Sequence, residues 1–163
     1  MKVIAFDTFG TVFNTNHIPN QDISYYANII SQPTWQPLNL PPSFHNLQSH
    51  PDAPEGIAKL RQNYQVVTCS NCPIKLLTKL SKDNHITWDA IIPIECYKVY
   101  KPNRKAYLAI AELMGVNPQD IMMVTANPTF GDIEAAQELN MIPQIIRHHP
   151  HPNTIIDLAN MLV

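Results

Sequence analysis

The chain has 163 residues, 45% of them hydrophobic and only 15% charged, where about 25% charged is usual. Eleven basic and 13 acidic residues give a formal net charge of −2, which excludes a basic nucleic-acid face and the charge-rich composition of a disordered or coiled-coil chain. No apolar run approaches the ~18 residues of a membrane helix, the N-terminal apolar stretch is too short for a signal peptide, and three cysteines fit a reducing cytoplasm better than a disulfide scaffold.

In chain order, residues 2–6 (KVIAF) read as a short buried strand with a turn at Gly10. Prolines then crowd the first third of the chain, and residues 14–51 stand apart in composition. Within them, Ile23, Tyr26, Ala27 and Ile30 recur at i, i+3, i+4 and i+7, which predicts a helix over 21–31 with Asn20 as its cap. Residues 32–51 are proline-broken and predicted irregular. Asp52 and Glu55 resemble a capping box for a helix reaching Asn63, with Pro54 in its first turn. Strands are expected at 65–69, 90–94, 120–126 and 142–147. Helices are expected at 73–83, at 103–114 closed by Gly115, at 131–139 and at 154–162. Pro143 places the last strand at a sheet edge. This alternation predicts an α/β fold, a doubly wound parallel sheet built from residues 1–13 and 52–163.

In such sheets ligands sit beyond the carboxyl ends of the strands. The polar residues there are Asp7, Ser70 with Asn71, and Thr125 with Asn127 and Asp132. Lys101 lies in the loop entering the helix at 103. A carboxylate, a hydroxyl, an amide and an ammonium converging on one edge make a covalent-catalysis site. Lys101 beside Asp7 would keep that carboxylate ionised and nucleophilic. The plainer alternative is that each residue finishes a turn or caps a helix, Ser70 for the helix at 73 and Asn103 for its own.

The stretch Phe6-Asp7-Thr8-Phe9-Gly10-Thr11-Val12-Phe13 resembles the first motif of the haloacid dehalogenase superfamily, whose members use the opening Asp as nucleophile. Ser70-Asn71, Val99-Tyr100-Lys101-Pro102 with Tyr107, and MMVTAN with GDIEAA resemble the second, third and fourth motifs. The resemblance covers residues 1–14 and 52–147, and it implies a Rossmann-like core with the proline-rich segment 14–51 as a short cap insert.

Two branches of that superfamily are distinguished by two positions. Magnesium-dependent phosphatases usually carry a second Asp two residues after the nucleophile, where this chain has Phe9. They also carry a metal-binding Asp after the fourth-motif strand, where this chain has Ala126. The resemblance is therefore closest to the metal-free 2-haloacid dehalogenases, and it implies no cofactor and a small anionic acid as substrate. By that resemblance Asp7 attacks the halogen-bearing carbon, Thr11 and Tyr107 hydrogen-bond around it, and Ser70 and Lys101 hold the substrate carboxylate. Asn71 solvates the halide, Thr125 and Asn127 support Lys101 and the water, and Asp132 activates that water. Two features depart from the branch: no Arg precedes Arg61, although these enzymes face the halide with a cap Arg, and the Asn127–Asp132 spacing is long.

Two other readings stand beside this one. The first is a phosphatase with Mg²⁺ on Asp7 and Asp132; the second is a non-catalytic binding protein that keeps the fold. Tyr25, Tyr26, Trp35 and Phe44 either form an aromatic lid, pack the insert onto the core, or make a homodimer contact. The Cys69–Cys72 pair and the HHPHP run at 148–152 read as core and surface loop rather than redox or metal sites.

Overall fold

The computed structural model describes residues 1–163. Four strands, β1 (Val3–Phe6), β2 (Gln65–Thr68), β3 (Ile121–Thr125) and β4 (Ile142–Ile145), form one sheet in the order β2-β1-β3-β4. Every pairing is parallel. Six helices accompany it: α1 (Asn20–Ile30), α2 (Ala53–Leu60), α3 (Ile74–Asp83), α4 (Arg104–Met114), α5 (Asp132–Glu138) and α6 (Ile155–Leu162). No helix is long and apolar enough to cross a membrane.

Strand residues alternate between two faces, and both faces are covered. Ile4, Phe6, Val66 and Val124 meet Leu60 of α2, Leu77 of α3 and Leu158 of α6 on one side. Val3, Ala5, Val67 and Met123 meet Tyr107 and Ile110 of α4 and Ala135 of α5 on the other. This is the doubly wound α/β architecture that the alternation predicts. β4 is an edge strand, so Pro143 faces a missing neighbour rather than breaking a ladder.

The strand expected at 90–94 does not form. Ala90 makes only an isolated bridge to Val67. The Asp89 carboxylate instead accepts the Val66 N–H at 2.8 Å, and the Ile92 N–H donates to Thr68 Oγ1 at 3.1 Å. Side chains thus take the bonds a fifth strand would have made. Pro93 has no N–H to offer, and a 3₁₀ turn follows at Ile94–Tyr97.

Two caps also differ from expectation. Pro19, not Asn20, precedes α1, and Asn20 is its first helical residue. Asp52 makes no capping bond to α2; its carboxylate accepts the Ile156 N–H at the start of α6, 3.0 Å away. The expected Asn103 cap and the left-handed Gly115 stop of α4 are present.

Residues 14–51 hold α1 and a 3₁₀ turn at Pro42–Phe44. Ile18, Leu38, Leu40, Phe44 and Leu47 are buried in the same core as β1, so this insert shares the main core instead of building its own. Backbone bonds Asn14 N–H to Gln48 O and His50 N–H to Val12 O close its two ends at 2.8 Å each. No residue of α1 is buried. Its apolar stripe faces an open cleft at the carboxyl end of the sheet.

Candidate active site

The chain leaves β1 for β2 on one side, and β3 lies on the other. The crevice between β1 and β3 is therefore the topological switch point. Asp7 and Thr125 emerge there side by side, and the Asp7 N–H donates to Val124 O at 2.9 Å. Asp7, Lys101 and Asp132 are 8%, 8% and 3% exposed.

The two Asp7 oxygens have different surroundings. Oδ2 accepts from Thr11 Oγ1 at 2.7 Å, Asn127 Nδ2 at 2.9 Å and Thr125 Oγ1 at 3.2 Å. Oδ1 accepts only from Lys101 Nζ, at 3.0 Å. These donors are themselves positioned. Thr11 Oγ1 takes the Ala126 N–H, Thr125 Oγ1 takes the Asn127 N–H, and Asn127 Nδ2 also reaches Phe9 O, each at 2.9 Å.

Lys101 Nζ bridges to Asp132 Oδ2 at 3.2 Å, and the Tyr107 hydroxyl donates to Asp132 Oδ1 at 2.5 Å. The Lys101 backbone is held by Asn71, whose Oδ1 accepts the Lys101 N–H at 2.7 Å. Burial opposes the Lys101 charge, but Asp132 and Asp7 outweigh it and hold its pKa well above the ordinary lysine range. Lys101 is therefore a fixed cation and not a base. Burial lifts the Asp132 carboxyl above the usual carboxylate range, with Lys101 pulling the other way. Burial also pushes the Tyr107 hydroxyl up, so it stays a donor.

All nine residues singled out in the sequence thus gather at one edge, but several partners differ from expectation. Tyr107 binds Asp132 and not Asp7. Thr125 and Asn127 donate to Asp7 and not toward Lys101. Ser70 faces Thr8 Oγ1 at 2.5 Å and accepts the Cys72 N–H at 3.0 Å; it neither caps α3 nor opens onto the cleft. Asp132 reaches Lys101 despite its long spacing from Asn127, because the intervening loop turns sharply at Gly131.

Gly131 has φ 103°, and a Cβ there would lie 2.7 Å from Cβ of Pro102, the residue after Lys101. Gly131→Ala is expected to cost about 1–3 kcal/mol and to slow turnover by separating Lys101 from Asp132. Thermal melts and steady-state assays of this variant check both effects.

The cleft above Asp7 has a volume of about 290 Å³. Asn71, Lys101 and Asp132 line its floor, Phe9 and Phe44 a wall, and the α1 stripe its roof. Tyr26 of that stripe, one of four aromatics for which the sequence left a lid, packing or a dimer contact open, lines the cleft. It contacts Phe9 and Phe44 and accepts from Asn71 Nδ2 at 3.2 Å. The sequence offered it as a lid aromatic but gave its hydroxyl no role. Phe44 also lines the cleft, whereas Trp35 stacks on Tyr100 and Tyr25 is exposed.

Lys101 is the cleft's one cation: Arg61 pairs with Asp89 and Arg104 with Glu138, both away from it. Cys69 and Cys72 are buried free thiols. His148 stacks on His50 and contacts Gly10 O, and no cluster of His, Cys, Asp and Glu is arranged to hold a metal.

Known proteins resemble this chain in sequence and in fold. The chain is 26% identical over 87 residues to an (S)-2-haloacid dehalogenase of Xanthobacter autotrophicus, covering 52% of this chain and 34% of that one. It is 30% identical over 89 residues to (S)-2-haloacid dehalogenase 4A of Burkholderia cepacia, covering 52% of this chain and 38% of that one. The matched stretch thus spans little more than a third of these relatives. A crystal structure of an L-2-haloacid dehalogenase superposes with a TM-score of 0.84 at 19% identity, covering 100% of both chains, a likeness of fold. The family profile described as haloacid dehalogenase-like hydrolase matches residues 24–140, well over half of the sequence. The chain belongs to the haloacid dehalogenase-like hydrolase family.

Proposed function

We propose that this hydrolase removes halide from small 2-haloacids through an ester on Asp7, without a divalent cation. The observation that carries this reading is the unequal environment of the two Asp7 oxygens. Oδ1, with one hydrogen bond, keeps a lone pair free to attack carbon. The new C–O bond forms as the carbon–halogen pair leaves with the halide.

Oδ2 then becomes the ester carbonyl oxygen, already inside three donors from Thr11, Thr125 and Asn127. When water adds to Cγ, negative charge grows on Oδ2, where those donors stabilise it. The intermediate collapses by breaking the Cγ–Oδ1 bond. The hydroxyacid departs with the original Oδ1, and Asp7 keeps the oxygen of water. Asp132 lines the same cleft, and its lifted pKa suits it to take one proton from the water and return it to the departing Oδ1, while the water's second proton is lost to solvent as Asp7 returns to a carboxylate. The Lys101 ammonium holds Asp7 in place and offers the cleft's positive charge to the substrate carboxylate.

Asp7 and Asp132 do not fit a magnesium site. The Lys101 ammonium lies between them, within 3.0 and 3.2 Å, so the charge a divalent ion would supply is already provided. The side chains of Phe9 and Ala126 add no oxygen ligand, and the Phe9 carbonyl is already taken by Asn127 Nδ2 at 2.9 Å. The three free cysteines accord with a reducing, cytoplasmic setting.

The test is a panel of (S)-2-chloropropionate, 2-bromopropionate and chloroacetate, assayed for halide release with and without EDTA. Release at equal rates in both conditions is expected. No release from any haloacid, together with Mg²⁺-dependent phosphate release from phosphate esters, would overturn the proposal.

A further inference from the structure

We infer that the Tyr26 hydroxyl is the hydrogen-bond donor that stabilises the departing halide; this rests on the Asp7 reading above. A halide leaving from carbon gains a full negative charge, and a buried site must meet that charge with a donor. The candidates on the cleft wall are few. The Lys101 ammonium uses two of its three donors on Asp7 and Asp132, at 3.0 and 3.2 Å, and the reading above gives the third to the substrate carboxylate. Asn127 Nδ2 is divided between Asp7 and Phe9 O, and Asn71 Nδ2, the halide donor expected from the sequence, between the Tyr26 hydroxyl and Lys101 O. No guanidinium lines the cleft.

Tyr26 differs from all of these. Its oxygen accepts from Asn71 Nδ2 at 3.2 Å, while its own proton meets no acceptor in the protein. Phe9 and Phe44, themselves 5.3 Å apart, pack together against the ring with centroids at 5.7 and 6.0 Å, and the Asn71 bond ties the hydroxyl down. Asn71 polarises the phenol by donating to it, which strengthens the phenol as a donor in turn. Loss of water around the half-buried Tyr26 phenol pushes it up to about 12, so the proton is present across the working pH range.

Tyr26 donates a hydrogen bond without giving up its proton. The carbon–halogen electron pair leaves with the halide, Asp7 Oδ1 takes its place on carbon, and charge balances without a proton transfer. The short insert thus supplies, from the apolar face of α1, a neutral donor above the nucleophile.

The experiment compares single-turnover rates of the unaltered protein and Tyr26→Phe on (S)-2-chloropropionate and (S)-2-bromopropionate. Phenylalanine keeps the ring contacts to Phe9 and Phe44, so the melting temperature is expected to stay within a few degrees. The expected loss is about a hundredfold on the chloro acid and about tenfold or less on the bromo acid, with KM little changed, because the poorer leaving group leans harder on the donor. Equal losses on both acids, or none, would show a packing role and overturn the assignment while leaving the Asp7 reading intact. Absence of halide release by the unaltered protein would instead sink the Asp7 reading and this assignment with it. If Tyr26→Phe does not fold, crystals of the unaltered protein soaked in bromide decide: an anomalous peak within hydrogen-bond reach of the Tyr26 hydroxyl is expected, and a cleft with no peak there contradicts the assignment.

Discussion

Lys101→Met is expected to lower the melting temperature by roughly 6–20 °C at pH 8 and to abolish measurable turnover. The ammonium contacts two buried carboxylates, Asp7 at 3.0 Å and Asp132 at 3.2 Å. Methionine fills most of the volume but leaves two negative charges facing each other with little water. Breaking a buried ion pair in this way costs about 3–5 kcal/mol, and each kcal/mol moves the midpoint of a domain this size by roughly 2–4 °C. The deficit has a definite pH sign. In the variant the Asp132 carboxyl, already lifted by burial and by the Asp7 charge, loses the Lys101 charge that pulls it down. A group with a raised folded pKa contributes stability below its unfolded value, about 4, and loses it as pH rises. One proton shared by the pair relieves most of the repulsion, so the deficit should shrink as pH falls toward 5. Melts of both proteins at pH 5 and pH 8 check this; an equal deficit at the two values would mean that Lys101 acts through packing alone.

Asp7→Asn should have the opposite profile, a very large loss of rate with little loss of fold. The amide is nearly isosteric, and its oxygen can still accept from Thr11, Thr125 and Asn127. Its nitrogen then faces Lys101, which keeps Asp132 as a partner. The local charge changes from −1 to zero, which offsets part of the lost pairing, so a stability change within about 1–2 kcal/mol is expected. An amide cannot act as the attacking oxygen, and removing a nucleophile of this kind costs ~10⁴-fold or more in kcat. Halide-release assays and thermal melts on the same preparation separate the two effects. A variant that folds and retains more than about a tenth of the rate is incompatible with nucleophilic attack by Asp7.

The legible part of this site was the part that strand geometry dictates. Asp7, Asn71, Thr125 and Asn127 follow apolar runs, and a parallel sheet aligns the ends of such runs whatever lies between them. Lys101 was legible for a related reason, since its loop enters α4 behind the same edge. The less legible part depended on who binds whom. Tyr107 and Asp132 were both identified, but their mutual bond spans 25 residues and is set by the packing of α4 against α5. The long Asn127–Asp132 spacing departs from the branch pattern, and a left-handed glycine nevertheless brings the Asp132 carboxylate to Lys101. The strand at 90–94 failed because Asp89 and Thr68 side chains took its ladder bonds, which no propensity records. Asp52 looked like a cap for its own helix and serves α6 instead, 104 residues away. The stripe on α1 was read correctly as helical. Its destination, the roof of a cleft at the margin of the core, is a tertiary fact that periodicity does not carry.

Isotope transfer tests nucleophilic attack by Asp7 most directly. A single turnover of (S)-2-chloropropionate is run in H₂¹⁸O with protein in excess, and the peptide containing Asp7 is weighed together with the hydroxyacid. Attack by Asp7 predicts one heavy oxygen in the Asp7 carboxylate and none in the first-turnover product. Heavy oxygen in the product hydroxyl with an unlabelled peptide would mean that water strikes the substrate carbon itself, and the role assigned to Asp7 would be wrong.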